Sequence, residues 1–562
     1  MNNNQQFEKY NSIPQEKFTF VESDDRFHDH KIETKPVGYI KDAFRRFAKN
    51  KASIFAACII LILVLFAIVG PYFVNTDYTK AYETDSPTIL RYRFLMPKLK
   101  FLEGTGFWDG TMSKDVNDVD YYKYRGMAQE TGLTVIHKVI ESRKVGSEGN
   151  QSNLHKVRFD TYNSLSSYEL QISYAEFQEL QRWQEANGVQ VILPYVNRTD
   201  KKAPIAEYKD NDVWYVCQQN GVPVFATDDD GNRLTDENGD YVLLPAYLTS
   251  GSDGYTSTRL ENDPGNIALK KVENITDEDE KNAVLKSDEN WINRWRYAKR
   301  SVTSVGGEVI SSYSVRISAY YYFQYKFGFE PSFIFGTDAK GYDIISRLAS
   351  GARFSFILAI CVSAINLTIG AIYGAIEGYY GGVTDLIMER TSDILSGIPS
   401  TVVTILFQLH LAAKVGVVGA LIYAFVLTGW IGMASSVRMQ FYRYKNQEYV
   451  LAARTLGASN WRIMFKHIFP NSLGTLITGS VLVIPGVIFS ETSLTYLGIV
   501  NLEGTTMTSI GTMLSSGQAS MVNYPHIVLF PAIFIALLMI CFNLFGNGLR
   551  DAFNPSLRGV EG

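Results

Sequence analysis

Six uncharged, mostly apolar stretches organise this chain: 52–70, 354–376, 394–413, 415–437, 472–490 and 527–549. Roughly 20 such residues in a helix cross the hydrocarbon of a bilayer, and lipid offers no partner to an unpaired peptide group. Each stretch therefore predicts a spanning helix. Charged residues bound them, among them Lys51, Arg353, Glu377, Lys414, Arg438, Glu491 and Arg550. A cleaved signal peptide does not fit the first, which begins about fifty residues into the chain and has too long an apolar core.

The flanking charges give the direction. Residues 35–51 hold six basic side chains, Lys35, Lys41, Arg45, Arg46, Lys49 and Lys51, against Asp42 alone. The positive-inside rule places this end in the cytoplasm. Alternation then puts 72–353 outside, 438–471 inside, 491–526 outside and the C-terminus inside. The stretch from Arg438 to Lys466 agrees independently, with Arg438, Arg443, Lys445, Arg454, Arg462 and Lys466 against Glu448.

Composition excludes other classes. The 562 residues are 46% hydrophobic, but a polar, Tyr-rich middle brings the mean hydropathy close to zero. A formal net charge of -4 argues against a nucleic-acid partner, because such domains are usually strongly basic. Of the four cysteines, Cys58, Cys217, Cys361 and Cys541, only Cys217 lies outside an apolar stretch, so the polar middle has no internal disulfide. The scattered histidines show no metal-site spacing.

The stretch "EYVLAARTLGASNWRIMFKHIFPN", 448–471, is too short and polar to span. Tyr449, Val450, Ala453 and Leu456 recur at helical spacing, as do Trp461, Met464, Phe465 and Ile468. Gly457 between them suits a left-handed helix terminus, and Ser459 or Asn460 an N-cap. This predicts a helix, turn, helix unit, in which Ala452 and Ala453 let another protein approach closely. Periodicity alone fits equally an amphipathic hairpin lying on the inner leaflet.

The same stretch resembles the cytoplasmic loop signature of ABC-importer permeases, E-A-A, three residues, G, nine residues, then an apolar stretch closed by L-P. Ala452, Ala453, Gly457 and Pro470 match, while Leu451 replaces the usual Glu and Phe469 the usual Leu. "FGTDAKGYDIISRLASGARFSF" at 335–356 resembles a block of the peptide-importing branch, with Tyr342 where Arg is usual. "EGYYGGVTDLIMERTSDILSGIPS", "ETSLTYLGI" and "NLFGNGLRDAFNPSLRG" are similar to further blocks in the same order. Together the resemblance, to the C-type permease subunit of dipeptide and oligopeptide ABC importers, covers about 35–75 and 335–559.

That resemblance implies an all-α polytopic membrane protein with six transmembrane helices of the type I ABC importer permease fold, plus an inserted α+β extracytoplasmic domain. The divisions are a cytoplasmic tail with a basic amphipathic segment (1–51), a first span (52–71), the inserted domain (72–334), a permease core with five spans (335–550) and a tail (551–562). The loop 438–471 becomes the element that couples to an ATPase, through Ala452, Ala453, Gly457, Ala458, Ser459, Trp461 and Pro470. The implied partners are a homologous second permease, two ATP-binding subunits and an extracytoplasmic peptide-binding protein or lipoprotein, all in a bacterial plasma membrane. The chain carries no G-x-x-x-x-G-K-[ST] phosphate loop, so it is expected to be non-catalytic and to bind no cofactor, with ATP and Mg used by its partners.

Polar groups within spans are costly and tend to face a bundle interior or water. Asn366, Gln408, His410, Thr475, Thr478 and Ser480 are candidates for a pathway, although helix–helix hydrogen bonds, or for His410 a place at the membrane interface, are the plainer roles. Pro399 and Pro485 should kink their helices, and Pro485 and Glu491 are candidates for a gate. Glu491 suits snorkelling to the headgroups equally well.

The region 76–331 has no counterpart in the family pattern. "SYAEFQELQRWQEANG" predicts a helix ending at Gly188, and 212–247 a meander of short strands turning at Asn220-Gly221, Asp230-Gly231 and Asn238-Gly239. Asp228, Asp229, Asp230, Asp236, Glu237 and Asp240 lack the EF-hand spacing, so turn chemistry is the better reading than calcium. Docking the binding protein or shielding the pore mouth is the expected role of this domain. Competing functions are a permease for nickel or another small solute and, from another class, a membrane sensor with an outer ligand domain. A sensor would need a cytoplasmic output domain, and an embedded enzyme would need a catalytic constellation in the spans. Neither is legible.

Overall fold

The computed structural model describes residues 39–73, 92–146, 152–165, 167–193, 205–208, 211–216, 223–244, 298–305, 308–502 and 508–553. Helix α1 (Tyr39–Phe47) leads into α2 (Lys51–Phe73), the first long apolar helix. Ala43 of α1 is buried with Leu549 and Phe553 from the far end of the chain. The rings of Phe47 and Phe545 meet edge to face at 5.3 Å. The basic face of α1 leaves one apolar strip free for this contact, which fixes where the chain enters the helical bundle.

Residues 92–333 carry the strands. Strands β1 (Thr111–Asn117), β2 (Ile136–Val145) and β3 (Ser152–Asp160) form an antiparallel sheet in the order β1-β3-β2. Helix α3 (Asp118–Thr131) closes its core, with Tyr124 and Met127 set on Val116, Val157 and Phe159. A second antiparallel sheet joins β4 (Ser167–Ser173), β5 (Ile192–Leu193), β8 (Ala298–Val305) and β9 (Glu308–Ser318), with β9 pairing all three others. Between them lie α4 (Tyr174–Asn187) and a hairpin of β6 (Ile205–Tyr208) and β7 (Asn211–Val216). Helix α5 (Ala319–Phe327) follows β9.

Local sequence chemistry accounts for much of this unit. Helix α4 begins where Ser173 accepts the Glu176 N–H and ends at Gly188, as its glycine predicts. In 223–244 the chain makes isolated bridges rather than continuous strands, with turns at Asp228–Gly231 and Asp236–Gly239. Asp228 accepts the N–H groups of Asp230 and Asn232, and Asp236 those of Asn238 and Asp240. Those carboxylates are occupied by their own turns. The turn expected at Asn220-Gly221, like Cys217, lies outside the described residues.

A second layer of apolar and polar contacts fastens this unit to the helices. Phe94 stacks on Tyr524 at 4.4 Å, Phe335 on Phe530 at 4.1 Å, and Trp108 donates to the Ile334 carbonyl. The G-T-D block makes the joint: Thr337 accepts from Leu95 N–H at 2.9 Å, and Asp338 pairs with Arg347. Asp343 then caps α6 (Ile344–Tyr380), accepting from Ile345 and Ser346. Burial pushes the Asp343 carboxyl up to about 6, against those two hydrogen bonds.

Helix α6 runs 37 residues, beginning ten before the predicted apolar stretch. The predicted span 394–413 is not one helix. It is divided among α7 (Gly382–Ser396), α8 (Ser400–His410) and the start of α9 (Ala412–Gly429), and α7 and α8 meet at 72°. Gly397 and Pro399 cause the break, because Pro399 has no N–H to donate and serves as the cap before α8. A kink was expected there; the result is a corner. Helix α9 passes into α10 (Ile431–Tyr444), and α11 (Glu448–Thr455) leads to α12 (Asn460–Tyr496), which runs through Pro485 without interruption. Helices α13 (Ile510–Gly517) and α14 (His526–Phe553) complete the described residues. Among the described residues, five helices have the length and composition to cross a membrane, or six if the bent pair α7–α8 counts as one.

Gly370, Gly374 and Gly378 form a stripe at every fourth residue of α6 and let α10 approach closely. A Cβ at Gly374 would lie 2.2 Å from the Ala434 carbonyl oxygen, and one at Gly378 would lie 2.7 Å from Phe441 Cβ. Small residues at this spacing allow two backbones to pack in van der Waals contact where apolar burial gives no preference between helix and lipid.

Candidate coupling loop and translocation cavity

Helix α10 ends in a charged cluster. Arg438 donates to Asp385 at 2.6 and 2.9 Å and to Glu389 at 2.9 and 3.1 Å, and lies 3.5 Å from Glu377. Tyr442 also donates to Asp385, at 2.7 Å, and Lys445 to the Gly378 carbonyl at 3.0 Å. The cluster joins the end of α6, the start of α7 and the end of α10.

The loop itself follows at once. In α11, Val450 and Ala453 are buried, whereas Leu451 is exposed and Leu456, the residue after Thr455, is 87% exposed. Gly457 has φ 80°, the left-handed conformation expected of it, and the Ala458 N–H closes the turn on the Ala453 carbonyl at 3.0 Å. Ser459 accepts from Arg462 N–H and so caps the start of α12. The second half is not a separate short helix: it is the first part of α12, with a π-helical stretch at Ile463–Ile468 before Pro470. A proline cannot donate to the carbonyl one turn back, and the wider π turn absorbs that lost bond.

Ile463, Met464 and Ile468 face inward and Trp461 faces out. Of the residues expected to meet a partner, Ala452, Gly457, Ser459, Trp461 and Pro470 are exposed, Ala458 is half-buried and Ala453 is buried against the bundle. Tyr379 at the end of α6 holds the loop, donating to Asn460 at 2.8 Å beneath the Arg454 guanidinium.

A cavity of about 480 Å³ opens among α6, α8, α9 and α12, with Asn366, Ser400, Thr401, Thr404, Thr428, Ser490 and Ser493 as its polar lining. Asn366 is 4% exposed and its Oδ1 has no hydrogen-bond partner. Thr404 and Ser493, by contrast, donate to carbonyls of their own helices, of Ser400 and Phe489. Asn366 Oδ1 is thus a buried carbonyl acceptor on the cavity wall without a partner among the described residues.

The other candidates lie elsewhere. Gln408 donates to the Val417 carbonyl at 3.0 Å, joining α8 to α9. Thr478 donates to Gly474 of its own helix, Thr475 and His410 are exposed away from the cavity lining, and Pro485 is buried within α12. Glu491 does not snorkel. It is fully buried, accepting from Ser355 at 3.0 Å and Thr495 at 3.1 Å. The serines and threonines of the lining carried no sequence signal beyond being polar residues in or beside the apolar stretches. The Arg438 cluster had no sequence signal beyond the charges themselves, since its carboxylates lie 49 and 53 residues away.

Two family models match. The binding-protein-dependent transport system inner membrane component covers residues 366–559, and the N-terminal TM domain of oligopeptide transport permease C covers 38–97. Over 224 residues the chain is 44% identical to the oligopeptide transport system permease protein OppC of Bacillus subtilis (strain 168), covering 40% of this chain and 72% of that protein. The chain belongs to this permease family. This permease is also 40% identical over 225 residues to the dipeptide transport system permease protein DppC of the same strain, covering 40% of the chain and 69% of the relative. The corresponding figures for OppC of Mycobacterium tuberculosis (strain ATCC 25618 / H37Rv) are 32% over 226 residues, with 40% and 77% covered. Residues 98–365 of the permease fall outside both family models.

Proposed function

We propose that this permease is the non-catalytic transmembrane subunit of an ATP-driven importer for oligopeptides or dipeptides. The identity to OppC, spread over 72% of that relative, carries the reading. In it the five long helices and the bent pair are six spans of a type I importer, both termini face the cytoplasm, and the unit from 72 to 334 faces outward. A second, homologous permease completes the pathway. Two ATP-binding subunits use ATP and Mg, and an extracytoplasmic peptide-binding protein or lipoprotein delivers substrate.

The loop 438–471 is the docking element for an ATPase. Exposed Leu456 and Trp461 supply its apolar anchors, and its second half continues into α12, which lines the cavity. A displacement at the loop therefore reaches the pathway along a continuous helix. Asn366 in that cavity offers a carbonyl oxygen to a passing amide. The outward unit serves docking and shielding, held to the spans through Phe94, Trp108 and Phe335. Uptake of labelled oligopeptides into vesicles bearing the whole complex tests this reading, with unlabelled peptide and nickel as competitors. Peptide competition and indifference to nickel are the expected results; ATP-driven nickel uptake alone would refute it.

A further inference from the structure

We propose that Arg438 is a positioning residue that carries movement of the coupling loop to the bent helix pair α7–α8, by clamping Asp385 and Glu389 of α7 to the end of α10. The proposal rests on reading the chain as an ATP-driven permease.

Helix α7 needs such a clamp. Among the described residues, Ser392 is its one buried side chain, while Val383, Leu386, Ile387 and Ile394 are each more than half exposed. Apolar packing within the chain therefore does little to fix it. Its polar ties are the Arg438 fork, the Tyr442 hydroxyl on Asp385, and Tyr373 donating to the Met388 carbonyl at 2.7 Å. A guanidinium bridging two carboxylates has a fixed planar geometry, so it transmits rotation as well as position.

Both ends of the linkage are connected. On the loop side, α10 is continuous with the turn into α11, Lys445 holds the Gly378 carbonyl, and Tyr379 holds Asn460. On the pathway side, α7 turns the corner at Gly397–Pro399 into α8, whose Ser400, Thr401 and Thr404 line the cavity. Glu377 and Lys445 also face the clamp, with Asp393 and Arg454 further out, so Arg438 meets three carboxylates directly. An ammonium at 438 has three N–H donors and cannot reproduce the four hydrogen bonds that the guanidinium makes to Asp385 and Glu389.

The test is the ratio of peptide imported to ATP hydrolysed, measured in vesicles with the whole complex. The Arg438→Gln complex should hydrolyse ATP within about twofold of native while importing about tenfold less peptide per ATP, and Arg438→Lys should fall between. A defect confined to folding would lower the amount of complex and leave the ratio alone. An unchanged ratio in assembled Arg438→Gln overturns the proposal. If that variant does not assemble, Glu389→Gln decides, since its carboxylate is 38% exposed and its loss leaves the Asp385 fork in place. A lowered ratio there supports the clamp and an unchanged one overturns it. No ATP-driven uptake by the native complex would overturn the permease reading and this proposal with it.

Discussion

The carboxamide of Asn366 lies so close to Gly429 that a Cβ at 429 would stand 2.4 Å from its Nδ2. Helices α6 and α9 meet at this point on the cavity wall, and no side chain larger than hydrogen fits without moving the amide. Gly429→Ala should therefore displace Asn366, at a cost of about 1–3 kcal/mol from overpacking. Peptide uptake should fall several-fold with the complex still assembled. Asn366→Ala in the same chain should restore assembly strength, read as detergent melting temperature, without restoring uptake.

Leu456 and Trp461 project from the 448–471 loop, and Trp461 touches its own helix through the Phe465 ring at 4.3 Å. Leu456→Asp or Trp461→Asp should leave the melting temperature of the isolated permease nearly unchanged, within about 0.5 kcal/mol in stability. Either should weaken retention of the ATP-binding subunits by about tenfold or more, because exposed apolar anchors dominate such interfaces. Co-purification at matched expression checks both.

The second sheet holds a bidentate pair in which Arg316 donates to Glu130 at 2.6 Å through both terminal nitrogens and also to Ser167. Arg316 is 4% exposed and Glu130 12%. Arg316→Leu leaves a carboxylate buried without its cation and should cost about 3–5 kcal/mol. Limited proteolysis of the whole permease should show faster cleavage within 92–333. Adding Glu130→Leu should recover most of the loss.

Asp343 gives a pH dependence whose sign follows from its burial. Its folded pKa of about 6 lies above the ordinary 3.8, so between these values the unfolded chain has lost the proton that the folded chain keeps. Stability from this group is complete below about pH 4, declines as pH rises toward 6 and is level above it, a span of about 3 kcal/mol. Asp343→Asn retains the cap and cannot titrate. The melting temperature of the variant minus that of the native protein should rise from pH 4 to pH 6 and then hold.

Local chemistry was readable in the sequence and distant partnership was not. Gly457 and Ser459 announced the loop because a left-handed turn and an N-cap depend on residues within one helical turn. Gly397 and Pro399 were visible too, but a proline pattern does not distinguish a kink within one span from a corner between two helices. Glu491 reads equally as a gate residue or as snorkelling to the headgroups, and its burial was not legible because Ser355, which donates to it in the interior, lies 136 residues away. Arg438 read as a charge bounding a span until α6, α7 and α10 came together around it. The Gly370, Gly374, Gly378 stripe that allows this was present in the sequence as a spacing, but its partner helix was not.

The central claim is that ATP binding elsewhere drives solute through this permease by way of its 448–471 loop. The most direct measurement is simultaneous recording of labelled peptide uptake and ATP hydrolysis in vesicles containing the complete complex, native or with Leu456→Asp. The account predicts ATP-dependent peptide accumulation by the native complex and its loss in the variant, together with loss of peptide-stimulated hydrolysis. Equal accumulation by both complexes would contradict it.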